Sequence, residues 1–232
     1  MENQEERSVL ERNRLKEDEN ERIKNVLDVT WHDVRNSLSV IAMAVEIIQE
    51  TDDLERIKSL AVNSILSSQR AISGAIEFTE NFLVLGNRKK CWNSIYEIIR
   101  RITRQFPLEV KLSNNFPQKL EICCDPLIEK VFYNLIENAV QHGKASSIEC
   151  SVEQKGDFVI SIKDNGSGIE ESQKEMIFKQ GFGKNTGYGL FFCKEVIGQS
   201  DMTIKEVGDR RGACFVIGVP EYRCRIRNEL NT

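Results

Sequence analysis

The sequence predicts two units of different fold class: an all-α helical hairpin followed by an α+β sandwich. Proline and glycine are distributed unevenly, with no proline before Pro107 and only Gly74 before Gly86. Because proline and glycine interrupt helices, the first part can hold long helices and the remainder must turn often. The apolar residues also change their period, from heptad spacing in the first part to alternation in short segments of the second.

The first part predicts two long helices that form a dimer. Apolar residues step by four and three from Leu27 to Ile48, and a second seam with this spacing runs from Leu54 to Leu85. The polar segment 50–53 separates the seams and predicts an antiparallel hairpin. Since one hairpin cannot cover this much apolar surface, we expect two copies to form a homodimeric four-helix bundle. The first seam consists of Leu27, Trp31, Val34, Leu38, Ile41, Val45 and Ile48.

Four segments follow from this reading. Residues 1–22 are highly charged and predict a helical lead-in, which is either a connector from an upstream sensor module or a solvated helix. The hairpin domain spans 23–88 and the α+β domain spans 89–222, with a C-terminal tail at 223–232. Within the α+β domain we expect a helix in "WNSIYEIIRRITRQF", strands in "LEVKLSN" and "LEICC", and a helix from Asp125-Pro126 to Gly143. Two hairpins follow, "SIECSVEQ" with "FVISIKD" and "DMTIKEV" with "GACFVIGVP".

Composition excludes several functional classes. The net charge of −4 gives no basic footprint for nucleic acid. No apolar run approaches the ~20 residues that span a bilayer, so no direct membrane insertion is expected. We therefore expect a cytoplasmic protein or the cytosolic portion of a membrane-anchored sensor. The seven cysteines show no metal-ligand spacing and predict reduced thiols.

His32 is one of two histidines in the chain and lies in the first heptad seam segment, one residue after Trp31. Its side chain is expected on the flank of the bundle, with Asp33 adjacent and Asn36 one turn later on the same face. A carboxylate that orients one ring proton leaves the other ring nitrogen free to attack an electrophile. The alternative is an ordinary surface histidine on an amphipathic helix.

Three further motifs predict a nucleotide site. Asn134 and Asn138, one helical turn apart, can offer amide oxygens to Mg²⁺. The segment "DNGSGI", Asp164 to Ile169, combines a carboxylate at a strand end with glycines that admit a flat ring. The segment "GFGKNTGYGL" places glycines, Lys184 and Thr186 before a helix N-terminus, which favours phosphate. Singly, each motif has an ordinary reading as a cap, a turn or a loop.

In combination these motifs resemble the sensor histidine kinases of two-component systems. "HDVRN" is similar to their histidine motif, and the order of the later motifs is similar to their ATP-binding domain, a fold of the type shared with gyrase-like and chaperone-like ATPases. The absence of proline after the histidine and the wording "NAVQHG" resemble archaeal members. The resemblance covers roughly residues 20–220 and rests on Asn134 and Asn138, then Asp164-x-Gly166-x-Gly168, then Phe178, then Gly187-x-Gly189.

The resemblance implies the role of each residue. His32 is the expected phosphoacceptor, Asp33 its acid/base partner, and Asn36 is expected to act in dephosphorylating the partner. ATP and Mg²⁺ are the implied cofactors, with Asn138 as the metal ligand and Asn134 in support. Asp164 is expected to bind the adenine amino group, and residues from about 170 to 186 to form a mobile lid. The implied ATP-binding residues are Asn134, Asn138, His142, Asp164, Gly166, Gly168, Ile169, Phe178, Lys184, Thr186, Gly187, Gly189 and Leu190.

The implied function is autophosphorylation of His32 and transfer of the phosphoryl group to an aspartate of a response-regulator receiver domain. Two departures stand against the pattern: Ser37 replaces a common proline, and Gln141 replaces a common phosphate-binding Lys or Arg.

The alternatives are a gyrase-like or chaperone-like ATPase clamp, a serine-kinase anti-sigma factor, and a kinase-degenerate dimeric scaffold or phosphatase. The ATPase clamp is disfavoured because Asn134 stands where such enzymes place a water-activating Glu, and the anti-sigma factor because it lacks a histidine hairpin. Gln141 is the best support for the scaffold. His142 is most simply a helix-end residue.

Overall fold

The chain divides into two compact units, Met1–Leu83 and Val84–Thr232. The computed structural model describes the backbone of residues 2–182, 187–209 and 211–227, and the side chains of these residues except 2–13, 15, 16, 18, 19 and 22. Among the described residues, no helix is long and apolar enough to cross a membrane.

The first unit is the helical hairpin that the heptad seams predict. Helix α1 (Glu2–Gln49) is continuous, and helix α2 (Leu54–Leu60) begins after the polar segment 50–53. The N-cap of α2 is Asp53, whose Oδ1 accepts from the backbone N–H groups of Glu55 and Arg56 at 3.0 and 3.2 Å. This satisfies two of the orphan donors at the helix start and explains why the chain turns here.

The second arm of the hairpin contains a π-helical turn that the heptad reading does not predict. This turn (Ala61–Ile65) joins α2 to helix α3 (Leu66–Val84), and α1 packs against α2 and the π-helical turn. A π turn adds a residue to the helical cycle and so rotates the buried face that follows it. Beyond the turn, the buried residues of α3 still belong to the predicted seam: Ser68, Ala75, Phe78 and Phe82.

The second unit contains eight strands and three longer helices in its described part. Its elements are β1 (Cys91–Ser94), α4 (Ile95–Thr103), β2 (Lys111–Asn114), β3 (Leu120–Cys124), α5 (Ile128–Gln141), β4 (Ser147–Lys155), β5 (Asp157–Asp164), α6 (Tyr188–Gly198), β6 (Thr203–Glu206), β7 (Cys214–Val219) and β8 (Cys224–Ile226). Short 3₁₀ turns lie at Glu171–Gln173, Met176–Phe178 and Glu221–Arg223.

The larger sheet has the strand order β2-β4-β5-β7-β6. Strands β2 and β4 are parallel and the other pairs are antiparallel, so β4–β5 and β6–β7 are the two predicted hairpins. Helices α5 and α6 pack on each other and on strands β5 and β6, respectively. Alternate residues of β5 are buried, and Asp164 is the last of these buried residues. The α+β architecture of the prediction is confirmed.

The smaller sheet has the order β1-β3-β8, with both outer strands antiparallel to β3. Strand β1 corrects the helix expected over "WNSIYEIIRRITRQF", because Trp92 pairs with Cys123 and the helix begins only after Ser94. The Ser94 hydroxyl accepts from the Glu97 N–H at 3.4 Å, so the helix starts at an N-cap. Strand β8 lies in the predicted tail 223–232, of which 228–232 are outside the described residues. All seven cysteines lie in the described part and have free thiols there.

Candidate functional site

Asp164 is the buried carboxylate at the end of β5, with 6% of its surface exposed. Its Oδ1 accepts from the N–H of Gly166 at 2.8 Å and from the N–H of Ala213 at 3.2 Å. The Asp164 N–H in turn donates to the Ala213 carbonyl at 2.9 Å. One carboxylate oxygen is therefore fixed by two backbone donors, which leaves Oδ2 to accept from a ligand such as an exocyclic amine.

Asn165 anchors the loop that follows Asp164. Its Oδ1 accepts from the N–H groups of Ser146 and Ser147 at 3.0 and 2.9 Å, and its Nδ2 donates to the Ser146 hydroxyl at 3.0 Å. The Asn165 N–H donates to the Ser147 carbonyl. Sequence reasoning missed this role, although an Asn at a loop start is a residue type that often bonds to nearby backbone.

The end of α5 meets this loop directly. The Ser167 N–H donates to the Gly143 carbonyl at 2.9 Å, and a Cβ on Gly166 would lie 2.5 Å from that carbonyl oxygen. Gly166 is therefore required by close backbone approach, and Gly168 by its φ of +72°. The helix carrying Asn138 is thus in contact with the segment Asp164 to Ile169, which is predicted to bind adenine and is called the adenine loop below.

Asn134 faces helix α6. It is 8% exposed, and its Nδ2 donates to the Gly189 carbonyl at 3.3 Å. It also lies against the Cys193 thiol, whose pKa burial raises to about 12. Its described contacts therefore join α5 to the first turns of α6, and its support of Mg²⁺ stays a prediction.

The start of α6 is another tight backbone contact. Gly187 has a φ of +67°, and a Cβ there would lie 2.6–2.8 Å from Gly181 and Phe182 backbone atoms. Phe178 is buried and meets Phe215 edge-on, with ring centroids 6.2 Å apart. Lys184 and Thr186 lie outside the described residues, so their predicted phosphate contacts are untested.

The remaining predicted residues lie around this cluster. His142 is the exposed C-cap of α5, and its N–H donates to the Asn138 carbonyl at 2.9 Å. Ile169 is half-buried at the end of the adenine loop, and Leu190 is half-buried in the first turn of α6. Gln141 is exposed at the last position of α5.

The donor set suits Mg²⁺ that is carried by a nucleotide. In the described part of the chain, no cluster of three or more His, Cys, Asp or Glu side chains could hold a metal ion. Mg²⁺ in phosphate sites commonly takes only one or two protein oxygens and fills its octahedron with phosphate oxygens and water. The amide oxygen of Asn138, on a helix that abuts the Asp164 loop, fits that requirement.

The hairpin unit carries the second site. The His32 side chain is 71% exposed, and its Nδ1 lies 3.2 Å from Oδ1 of Asp33. The Asn36 carboxamide lies over the ring, with Nδ2 at 3.3 Å from Nδ1 and 3.4 Å from Nε2. The structure thus brings together the three predicted residues on one exposed surface of α1.

Most of the second unit is similar to a known protein family. Residues 125–223 match the family described as Histidine kinase-, DNA gyrase B-, and HSP90-like ATPase. This segment contains Asn138, Asp164 and the two helices that frame them, so the candidate site lies within the part of the chain that is similar to this family.

Relatives match over both units. Sensor protein KdpD of Escherichia coli is 26% identical over 224 residues, which cover 88% of this chain and 25% of KdpD. Adaptive-response sensory kinase SasA of Gloeothece citriformis is 27% identical over 250 residues, covering 90% of this chain and 61% of SasA. By this match and these relatives, the chain is similar to sensor histidine kinases across both units.

A solved structure has a similar fold. The histidine kinase ThkA, in a crystal structure with the response regulator TrrA, aligns with a TM-score of 0.64 at 20% identity, covering 82% of this chain and 59% of ThkA. At this identity the likeness shows the fold. The chain spans only part of the length of these relatives.

Proposed function

We propose that this chain is a kinase core that phosphorylates its own His32 from ATP. The observation that carries the proposal is the arrangement at His32: an exposed imidazole with a carboxylate 3.2 Å from Nδ1, in a chain that also carries an ATP-binding domain. A histidine in this environment is suited to nucleophilic attack.

The chemistry follows from the tautomer that Asp33 favours. When Nδ1–H donates to Asp33, Nε2 keeps its lone pair and attacks the γ-phosphorus of ATP. The Nε2–P bond forms as the bond from phosphorus to the β–γ bridging oxygen breaks, and ADP leaves. Asp33 accepts the Nδ1 proton as positive charge develops on the ring. Mg²⁺ on the phosphates, held by Asn138, would neutralise the developing charge.

We further propose transfer of the phosphoryl group from His32 to an aspartate of a response-regulator receiver domain. The solved complex of ThkA with TrrA supports a partner of this kind. In a separate hydrolytic reaction, Asn36, whose amide nitrogen lies 3.3 and 3.4 Å from the two ring nitrogens of His32, would orient a water molecule that attacks the aspartyl phosphate of the regulator and releases inorganic phosphate.

The hairpin also supports the proposed homodimer. Trp31, Leu38 and Val45 recur every seven residues on α1 and are 65%, 53% and 39% exposed in the single chain. Alternate members of the same seam, such as Val34 and Ile41, are half-buried against the hairpin. Helix α1 therefore has one apolar stripe that packs within the hairpin and a second, exposed stripe of heptad period. The exposed stripe is suited to packing against a helix of a second copy.

The test is phosphoryl transfer from γ-labelled ATP with Mg²⁺ to the purified chain. We expect label on the wild type and none on His32→Gln. His142 is the only other histidine, so label on His142→Gln, at whatever level, would assign the acceptor to His32. Phosphohistidine is lost in acid and stable in base, so the label should follow that pattern. Label that persists in His32→Gln would contradict the proposal, and absence of label with nucleotide bound would favour the scaffold or phosphatase alternative.

A further inference from the structure

Glu206 is a buried carboxylate at a position where the sheet pattern calls for an apolar side chain. In β6, Ile204 and Glu206 occupy the inward phase, and the Glu206 side chain is 0% exposed. Burying a carboxylate carries a large desolvation cost unless hydrogen bonds and an opposite charge offset it. The contacts of this side chain therefore indicate what it holds together.

One oxygen of Glu206 closes the turn between β6 and β7. Its Oε1 accepts from the N–H groups of Gly208 and Cys214 at 2.8 and 3.0 Å. A Cβ on Gly208 would lie 2.6 Å from this oxygen, so the glycine permits the approach. The Glu206 carboxylate thus bonds to backbone N–H groups near both ends of the turn, in addition to the backbone pairing of β6 with β7.

The other oxygen of Glu206 faces Lys174, which comes from the segment after the adenine loop. Lys174 Nζ lies 3.4 Å from Oε2 and donates to the Gly208 carbonyl at 2.7 Å. Its side chain is only 15% exposed, and Nζ also lies 2.7 Å from the exposed carboxylate of Glu171. Lys174 therefore ties residues 171–174 to the β6–β7 turn through both Glu206 and the backbone.

The β6–β7 turn also contacts Asp164, the carboxylate that is proposed to bind adenine. Ala213, at the end of the turn, donates the N–H that fixes Oδ1 of Asp164. Gly212 has a φ of +134°, and a Cβ there would lie 1.9 Å from the Asp164 carbonyl oxygen. The turn is thus in backbone contact with Asp164 on one side and folded around Glu206 on the other.

We propose that Glu206 and Lys174 are positioning residues for the nucleotide pocket: they hold the β6–β7 turn against Asp164 and so set the affinity for adenine nucleotides. The inference rests on the proposed ATP-binding role of Asp164. Neither side chain needs to touch the nucleotide, because the turn carries the effect to Asp164 through the Ala213 N–H.

The experiment measures Mg-ADP binding to the full chain by calorimetry. Lys174→Met leaves the Glu206 charge buried without its partner, and we expect Mg-ADP to bind about tenfold more weakly. Lys174→Arg keeps the charge and should bind as the wild type does. In the double variant Lys174→Met/Glu206→Gln the unpartnered charge is gone, so affinity should recover in part, and the remaining loss belongs to the missing bond from Lys174 to the Gly208 carbonyl.

A matched control is Lys155→Met. Lys155 pairs with Glu153 at 2.6 Å at the far end of the same sheet, and both side chains are well exposed. Exposed pairs contribute little, so this variant should bind Mg-ADP normally. In labelling assays, Lys174→Met should raise the KM for ATP and keep the rate at saturating ATP.

Three results would overturn the inference. One is a Lys174→Met variant that unfolds at lower temperature but binds Mg-ADP as tightly as the wild type, since the pair would then be structural only. Another is a double variant that binds Mg-ADP no more tightly than Lys174→Met does, because the Glu206 charge would then have no effect on nucleotide affinity. Failure of the wild type to bind Mg-ADP at all would overturn both this inference and the proposed function.

Discussion

At the scale of single residues, Asp164 shows how a carboxylate becomes a directional acceptor. Two backbone N–H groups occupy Oδ1, so the side chain cannot rotate without losing both bonds. An asparagine has the same shape but carries a donor on one arm. In one orientation the asparagine NH₂ group would face the two backbone N–H donors. In the other orientation it would replace the oxygen that accepts from the ligand.

Asp164→Asn should therefore bind Mg-ADP about 10- to 100-fold more weakly, since a hydrogen bond to a charged group contributes about 1.5–3 kcal/mol. Calorimetric titration of the full chain checks this. Asp157→Asn, at the other end of β5, is the control and should bind normally. Equal affinities of wild type and Asp164→Asn would remove Asp164 from the nucleotide site.

The residue types of the site could be predicted from sequence, but several of its partners could not. Asp164 and Asn138 stand in motifs whose spacing carries information. Ala213 and Gly143 act through backbone N–H and carbonyl groups, which every residue possesses, so their side chains give no signal. Glu206 in a strand pattern reads as an outward residue until the structure shows it buried.

At the scale of elements, the meeting of α5 with the loop after β5 depends on Gly166. A methyl group there would lie 2.5 Å from the Gly143 carbonyl oxygen and 2.9 Å from Oδ1 of Asp164. These are backbone and fixed side-chain atoms, so they cannot move aside cheaply. The loop would have to separate from the end of α5.

Gly166→Ala should therefore weaken Mg-ADP binding by about tenfold or more and also lower the midpoint of thermal unfolding, because overpacking typically costs about 1–3 kcal/mol. Gly198→Ala is the control, since a Cβ there meets no atom within 4 Å. It should leave binding unchanged and be neutral or slightly stabilising. Unchanged binding in Gly166→Ala would show that the close approach is not needed for the site.

Elements were predicted best where the apolar period was long. The two hairpins follow an alternation that spans many residues. The capping signal misplaced the start of α5, because the helix begins at Ile128 and not at Asp125-Pro126, and its N-cap Leu127 makes no side-chain capping bond. Strand β1 was missed because "CWNS" is short and its pairing partner Cys123 lies far along the chain. The π-helical turn was missed because the spacing of three and four continues through Ala61 and Ser64, so the sequence gives no signal of the extra residue.

At the scale of the whole molecule, the exposed heptad stripe predicts self-association. Leu38→Glu would place a charge in the proposed interface between two copies, and burying an unpaired charge is costly. We expect the wild type to be a dimer and Leu38→Glu a monomer in sedimentation equilibrium. Met43→Glu is the control, because Met43 is 61% exposed on the side of α1 that carries His32. A monomeric wild type, or a dimeric Leu38→Glu, would contradict the four-helix bundle.

The three-stranded sheet gives the second unit one further property. Strands β1 and β8 are respectively its first and last strands, and both flank β3, with Cys91 opposite Cys124 and Ile226 opposite Leu120. From strand spacing and rise, these two ends are roughly 15–17 Å apart. A linker of about six extended residues could therefore join the end of β8 to the start of β1. A domain of this topology can be cut and rejoined elsewhere, or inserted into another protein, without stretching its sheets.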